Sequence, residues 1–314
     1  MHVASTLDGA ALVVPPGAAV TFGNFDGVHR GHQAILARVR ALADEGGLQA
    51  GVITFDPHPV AVLRPEARPQ RLSTLADRLA AFERAGIDVV LVVPFDASVA
   101  AMSAEDFVDR VLVGRMGARH VVTGTDCRFG RGGTGDLRTL ERLGAARGLV
   151  VHQVGPVCCE GARVSSSRLR ELVAAGHVAR AAAWMGRAYR MRGRVVPGDR
   201  RGRILGFPTA NVVPEEGLVM PAPGVYRGRM GWDGLGHRCA INVGRRPTFG
   251  GGEVVVEAHV LDFDGDLYGR SVWLDFEARL RPERRFDTVE ALAAQLARDV
   301  AAVRAAPSSD RAGG

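Results

Sequence analysis

Gly23-Asn24-Phe25-Asp26-Gly27-Val28-His29-Arg30-Gly31-His32 gathers two imidazoles, a carboxylate and three glycines into ten consecutive residues. Gly23 and Gly27 allow a tight turn and a close approach of backbone to ligand. A helix opening directly after the turn offers free N–H groups and the positive end of its dipole to a phosphate. His29 and His32 lie three apart and so share a helix face. The combination suits nucleotidyl transfer, in which a phosphate anion attacks an α-phosphorus and needs charge stabilisation more than a base.

Three more segments carry polar groups of this kind: Thr54-Phe55-Asp56-Pro57-His58-Pro59, Gly124-Thr125-Asp126-Cys127-Arg128-Phe129-Gly130 and Val164-Ser165-Ser166-Ser167-Arg168-Leu169-Arg170. In the last, hydroxyls and N–H groups at a helix start can hold nucleotide phosphates while Arg168 or Arg170 neutralises a leaving pyrophosphate. An ordinary helix cap followed by surface arginines has the same composition. His58, between two prolines, is equally a turn residue.

Gly198-Asp199-Arg200-Arg201-Gly202-Arg203-Ile204-Leu205-Gly206 leads into a stiff Phe207-Pro208-Thr209-Ala210-Asn211 segment. Pro208 pushes Phe207 toward an extended backbone. If the extension continues, Thr209 and Asn211 project to one face and offer a hydroxyl and an amide oxygen to one cation. Neutral oxygens completed by substrate phosphates and water suit Mg²⁺, although Thr-Ala-Asn alone also reads as a polar turn. Glu257 and His259 alternate onto one face of a strand, where a carboxylate either takes the proton of an attacking hydroxyl or is simply solvated. Asp262, Asp264 and Asp266 have the look of a calcium loop, but the glycine and terminal glutamate are misplaced, so a hairpin turn is expected.

Most of these segments follow predicted strands. The periodicity predicts strands at 18–22, 48–55, 88–93, 120–123 and 149–154, with helices at 29–45, 75–85, 104–116 and 137–147 between them; Thr74 and Ser103 are capping residues. This alternation is that of a doubly wound α/β domain with its ligand at the carboxyl ends of the strands, where four loops converge. After one helical connector over 165–184 the pattern changes. Residues 195–196, 224–230, 239–243, 254–261 and 272–280 are β-like and separated by turns, as in an antiparallel sheet or barrel. A helix over 289–303 ends the fold.

The chain has 314 residues, 46% of them hydrophobic, enough for two cores. Four cysteines, Cys127, Cys158, Cys159 and Cys239, form no C-x-x-C pair, which argues against a zinc site or a disulfide framework. The net charge of +6 comes from basic residues that are all arginine and spread along the chain. It fits small nucleotide substrates as well as RNA, but no arginine-clustered appendage is visible, so neither a nucleic-acid nor a membrane partner is expected. The first 16 residues lack the basic start and apolar core of a signal peptide, and a cytoplasmic protein is expected.

The H-x-G-H string and the three segments after it resemble the adenylyltransferase domain of the prokaryotic bifunctional riboflavin kinase/FAD synthetase family. The segment from Gly198 to Asn211 resembles the riboflavin kinase signature. That resemblance continues through Pro223–Tyr226, Ile241–Phe249, Val256–His259 and Leu261–Gly269 to Phe286 and Gln295. It implies an N-terminal nucleotidyltransferase domain and a six-stranded antiparallel kinase barrel; the change of pattern near Gly186 sets them at 1–185 and 186–305, and the small, polar stretch 306–314 is expected to be a disordered tail. It implies ATP-dependent phosphorylation of riboflavin to FMN in the barrel and adenylylation of FMN to FAD in the N-terminal domain. A kinase with a weakened adenylyltransferase half is the alternative, and an RNA-associated protein retaining the fold a more distant one.

For the first site it implies His29, His32, Arg168 and Arg170 as catalytic groups, with Gly23, Asn24, Phe25, Asp26, Gly27, Ser165, Ser166 and Ser167 at ATP phosphates. Phe55, Pro57, His58, Asp126 and Arg128 fall to the flavin. For the second it implies Gly198, Arg203, Gly206 and Pro208 around ATP, Thr209 and Asn211 at Mg²⁺, and Glu257 as the base. The sequence departs from the family at Cys127, where phenylalanine is usual, which implies a looser flavin-side pocket.

Overall fold

A computed structural model describes residues 1–7, 12, 17–64, 66, 70–198, 202, 205–246 and 253–307. Of the residues singled out above, 199–201, Arg203, Ile204, 247–249 and the tail beyond Pro307 lie outside them. The chain divides into two compact units, Met1–Pro69 with Ser73–Ser166, and Gln70–Leu72 with Ser167–Gly314.

The first unit opens with β1 (His2–Ala4), β2 (Ala18–Phe22), α1 (Arg30–Gly46), β3 (Gln49–Asp56), α2 (Pro59–Leu63), α3 (Leu75–Arg84) and β4 (Val89–Pro94). It continues with α4 (Ala97–Ala100), α5 (Ala104–Asp106), β5 (Ala118–Gly124), α6 (Leu137–Ala145) and β6 (Val150–Val154). A two-residue hairpin, β7 (Cys158–Cys159) with β8 (Ala162–Arg163), follows. The six-stranded sheet is parallel, in the order β1-β4-β3-β2-β5-β6.

Strand alternation divides the apolar residues between two layers. Ala18, Val20, Ile53, Leu91 and Val93 meet Leu112 and Leu140 on one face, while Ala19, Val52, Val90 and Val92 meet Leu36, Val39 and Phe82 on the other. Burial on both faces is why these strands read as apolar runs rather than alternating ones. The chain winds from β2 outward to β4 and then returns to β5 on the other side of β2. The loops after β2 and β5 therefore flank the point where the winding reverses, the ligand crevice of an open α/β sheet.

Some local expectations are corrected. The helix predicted over 104–116 continues past α5 as a π-helix, Phe107–Arg115. Gly114 permits the wider turn, since a Cβ there would stand 3.0 Å from the Asp109 carbonyl. Strand β1 and helices α2 and α4 were not predicted, each being too short to show a period.

The connector predicted as one helix is two, α7 (Ser166–Ala174) and α8 (Val178–Met185), broken at Gly176, whose φ of 79° suits glycine. In the second unit β9 (Tyr189–Val196), β10 (Ala210–Pro214), β11 (Gly224–Trp232), β12 (Leu235–Arg246), β13 (Glu253–Val260) and β14 (Ser271–Pro282) close an antiparallel barrel in the order β10-β13-β12-β11-β14-β9. Its interior holds Met191, Tyr226, Ile241, Val256, Leu274 and Phe276, all fully buried. Helix α9 (Val289–Ala305) packs on β11 and β12. It is tied to β14 by Arg281, which forks onto the buried Asp299 carboxylate at 2.8–3.1 Å.

Candidate functional site

In the first unit the turn after β2 is held in a backbone that most residues avoid. Phe25, Gly27 and Val28 have φ of 51°, 80° and 39°. Each non-glycine residue at such a φ costs on the order of 1 kcal/mol or more, so surrounding contacts must hold it. Phe25 and Val28 are buried in the core, with the Phe25 ring edge-on to His32 and Phe82. The Phe25 side chain is thus anchored in the core, and what it offers a phosphate is its backbone. Asp26, 4% exposed, accepts from the Ser73 N–H at 3.1 Å and hydroxyl at 3.3 Å. Ser73 Oγ in turn accepts the Gly27 N–H at 2.8 Å, and the Ser166 hydroxyl donates to the Asp26 carbonyl at 2.9 Å. The Asp26 carboxylate is therefore a latch of the turn.

His29 is the N-cap of α1 rather than its first helical residue, and its Nδ1 accepts the His32 N–H at 3.3 Å. That bond leaves Nε2 to carry the proton and act as a donor. The two rings stack with centroids 3.7 Å apart. A Cβ on Gly31 would lie 3.2 Å from the His29 ring, so the glycine of H-x-G-H makes room for the imidazole it follows. Burial lowers His29 from 6.5 to about 4, against the raising effect of Asp26. Burial also pushes His32 well below its ordinary value. Burial thus favours the neutral form of both rings at physiological pH, in which each has one N–H to donate. His32 Nδ1 is buried without a hydrogen-bond partner among the described residues.

On the loop after β3, the half-buried Phe55 ring meets Phe95 edge-on, while Pro57 is exposed. His58 caps α2 through Nδ1, so of its two predicted readings the local one is seen directly. On the loop after β5, Asp126 is exposed and pairs with Arg163 at 2.7 Å, and Arg128 folds back onto the Cys127 carbonyl. Cys127 packs against the apolar layer, and burial raises its thiol to about 11, so it is a small protonated filler. Ser165 and Ser166 end the first unit. Ser167, Arg168 and Arg170 continue α7 in the second, Arg168 exposed and Arg170 half-buried.

In the second unit, pairing register does what spacing alone could not. Asn211 on β10 stands opposite Glu257 on β13, and Glu257 opposite Asn242 on β12. Directly opposed residues share a face, so the three form a polar row on the outside of the barrel; Asn242 Nδ2 lies 3.5 Å from Glu257 Oε2. The row borders a cavity of about 430 Å³ lined by Phe207, Thr209, Asn242, Glu257 and His259 from the barrel side and Leu296 from α9. His259 donates from Nδ1 to the Pro208 carbonyl at 2.8 Å and holds the Phe207–Asn211 segment on the barrel. Gly198 faces the Asn211 amide so closely that any Cβ would overlap it. Gly206 turns with φ 81°. Sequence reasoning missed Asn242, Ser73 and His259's part as an anchor; the Ile241-Asn242-Val243 string was the available signal for the first.

No group of three or more His, Cys, Asp or Glu residues able to hold a metal occurs among the described residues. A cation in the second unit would therefore rest on neutral oxygens such as those of Thr209 and Asn211, with substrate phosphates and water supplying the rest. That donor set fits Mg²⁺ and does not fit zinc.

The FAD synthetase family model matches residues 13–168 and the riboflavin kinase model residues 185–306. A bifunctional riboflavin kinase/FMN adenylyltransferase of Pseudomonas fluorescens is 43% identical over 94% of this chain and 95% of its own length. Proteins of that name from Escherichia coli K12 and Bacillus subtilis 168 are 37% and 33% identical, each over 90% of both chains. A solved structure from Streptococcus pneumoniae described as a macrolide-efflux protein superposes with a TM-score of 0.86 at 30% identity, over 94% of this chain and 97% of that one. Among the described residues no helix is long and apolar enough to cross a membrane.

Proposed function

The chain belongs to the bifunctional riboflavin kinase/FMN adenylyltransferase family, and on that premise we propose how its two sites divide the chemistry. The observation that supports the reading is that each unit has its own candidate site, the strained turn before α1 in one and the Asn211–Glu257–Asn242 row in the other.

In the first unit an FMN phosphate oxygen attacks the α-phosphorus of ATP and pyrophosphate leaves. The backbone N–H groups of the turn and of the α1 start receive the phosphates. His29 Nε2–H donates to the charge that builds on the α-phosphoryl oxygens. Phe55, Pro57, His58, Asp126 and Arg128 form the flavin side.

In the second unit Glu257 takes the proton of the riboflavin 5′-hydroxyl as its oxygen attacks the γ-phosphorus, the bond to the β–γ bridging oxygen breaks, and ADP departs. Asn242 orients the Glu257 carboxylate. Thr209 and Asn211 would hold Mg²⁺, which neutralises charge on the transferring phosphates. Gly198, Gly206 and Pro208 shape the nucleotide loop through their backbone.

The test is incubation of the purified protein with riboflavin, MgATP and inorganic pyrophosphatase, with FMN resolved from FAD. Both should form. His32→Ala should lose FAD formation by about 100-fold, the scale of a transition-state contact, and keep FMN formation. Equal loss of both products in a folded variant would point to a single shared site.

A further inference from the structure

Arg78 belongs to none of the motifs above, yet it is a buried charge, 5% exposed, on the first turns of α3. Its Nη1 donates to the Asn24 carbonyl at 3.1 Å, the Thr54 hydroxyl at 2.9 Å and the Phe55 carbonyl at 3.0 Å, and its Nη2 to Asp56 Oδ1 at 2.9 Å. Asn24 comes from the turn after β2. The other three come from the end of β3. One guanidinium therefore ties the turn assigned to ATP phosphates to the segment assigned to the flavin.

The turn needs such ties. Phe25 and Val28 sit at positive φ, and a backbone of that kind persists only where its surroundings over-determine it. Helix α3 supplies two points of attachment, Ser73 just before its cap holding Asp26 and Gly27, and Arg78 holding Asn24. A planar five-donor fork can serve acceptors on two loops at once, whereas a lysine ammonium is a compact point charge. Stability alone would be served by burying an apolar side chain in this place.

We propose that Arg78 is a positioning residue for adenylylation: it sets the spacing between the phosphate turn and the Phe55–His58 segment so that the FMN phosphate meets the α-phosphorus in line. The inference rests on the assignment of both loops to one adenylylation site.

Single-turnover adenylylation, with enzyme in excess of FMN and MgATP saturating, separates positioning from folding. Misfolded protein lowers the amplitude, while misplacement lowers the rate constant. Arg78→Met should reduce the rate constant about 100-fold, as expected for a misplacement near 1 Å. Riboflavin phosphorylation by the same preparation should stay near wild type. Arg78→Lys should recover part of the loss, retaining a deficit of roughly 10-fold because it keeps the charge without the fork. A wild-type rate constant with reduced amplitude in Arg78→Met overturns the proposal. If Arg78→Met does not fold, a wild-type rate constant in Arg78→Lys overturns it. His29→Ala run in parallel distinguishes the underlying reading: were it also to adenylylate at the wild-type rate, the site assignment would fall, whereas loss in His29→Ala alone removes only the role of Arg78.

Discussion

Acidification should weaken the first unit through His29, and the size of the effect follows from its burial. The imidazole titrates at about 4 in the folded chain against 6.5 when free. A histidine depressed in this way is neutral when folded and protonated when unfolded between those two values. The unfolded state then binds the extra proton, so stability is full above pH 6.5 and falls as pH drops toward 4. Between pH 7 and pH 5 the loss from this one group is about 2 kcal/mol. His29→Asn removes the titration and keeps a good N-cap acceptor for the His32 N–H. Its stability should therefore decline less steeply. The decline does not vanish, because His32 is depressed in the same direction. Urea unfolding followed by far-ultraviolet circular dichroism at pH 7 and pH 5 reads the difference, as a midpoint gap of roughly 1 M between the two proteins at pH 5. Trp184, Trp232 and Trp273 all lie in the second unit, so tryptophan fluorescence gives an internal control that should not distinguish variant from wild type. Wild type and His29→Asn losing stability in parallel from pH 7 to pH 5 would refute the argument that His29 is held neutral by burial.

Three further outcomes are expected. Glu257→Gln keeps shape and one acceptor oxygen but loses basicity, so riboflavin phosphorylation should fall on the order of 10²–10⁴ in turnover with MgATP affinity little changed. FAD synthesis from supplied FMN stays normal, and near-wild-type phosphorylation would reduce the carboxylate to a solvated strand residue. Gly31→Ala forces a methyl against the His29 ring, and adenylylation should drop by roughly 10-fold or more, as for other small misplacements, with FMN formation unchanged; an unaltered adenylylation rate would show that the ring has room to move. A fragment beginning at Ser167 retains every residue of the barrel, α8 and all but the first residue of α7, whereas one beginning at Gly186 drops α7 and α8. The Gly186 fragment is expected to make FMN, and if it folds by circular dichroism yet makes none while the Ser167 fragment does, the kinase needs α8 against β14.

What could be read from the sequence, and what could not, divides along a physical line. Strands β2 to β4 were legible because burial on both faces leaves continuous apolar runs, and the site loops were legible because a parallel sheet gathers its ligands at strand ends. Strand β10 was not: five residues starting Ala210-Asn211 and ending in Pro214 show no alternation, and only pairing with β9 and β13 makes them a strand. The polar row depends on that pairing. Spacing put Thr209 and Asn211 on one face and Glu257 with His259 on another, but which faces coincide is a matter of register, set by partners far away in the chain.

The same limit governs the first site. The type and spacing of His29 and His32 pointed to phosphate chemistry, and sequence reasoning cast them as charge-stabilising groups on one helix face. The structure keeps them together for a different reason, one capping the helix that carries the other. Depth of burial cannot be seen in a list of residues, and it decides the charge: desolvation favours neutral imidazoles over cations here. Ser73 and Arg78 were overlooked because the turn they hold is reached in part through backbone groups, the Gly27 N–H and the Asn24 and Phe55 carbonyls, which every residue possesses. A side chain that acts by holding backbone leaves no composition signal around its target. The strained turn at Phe25 and Val28 therefore has to be recognised first, and the residues that hold it found from their contacts.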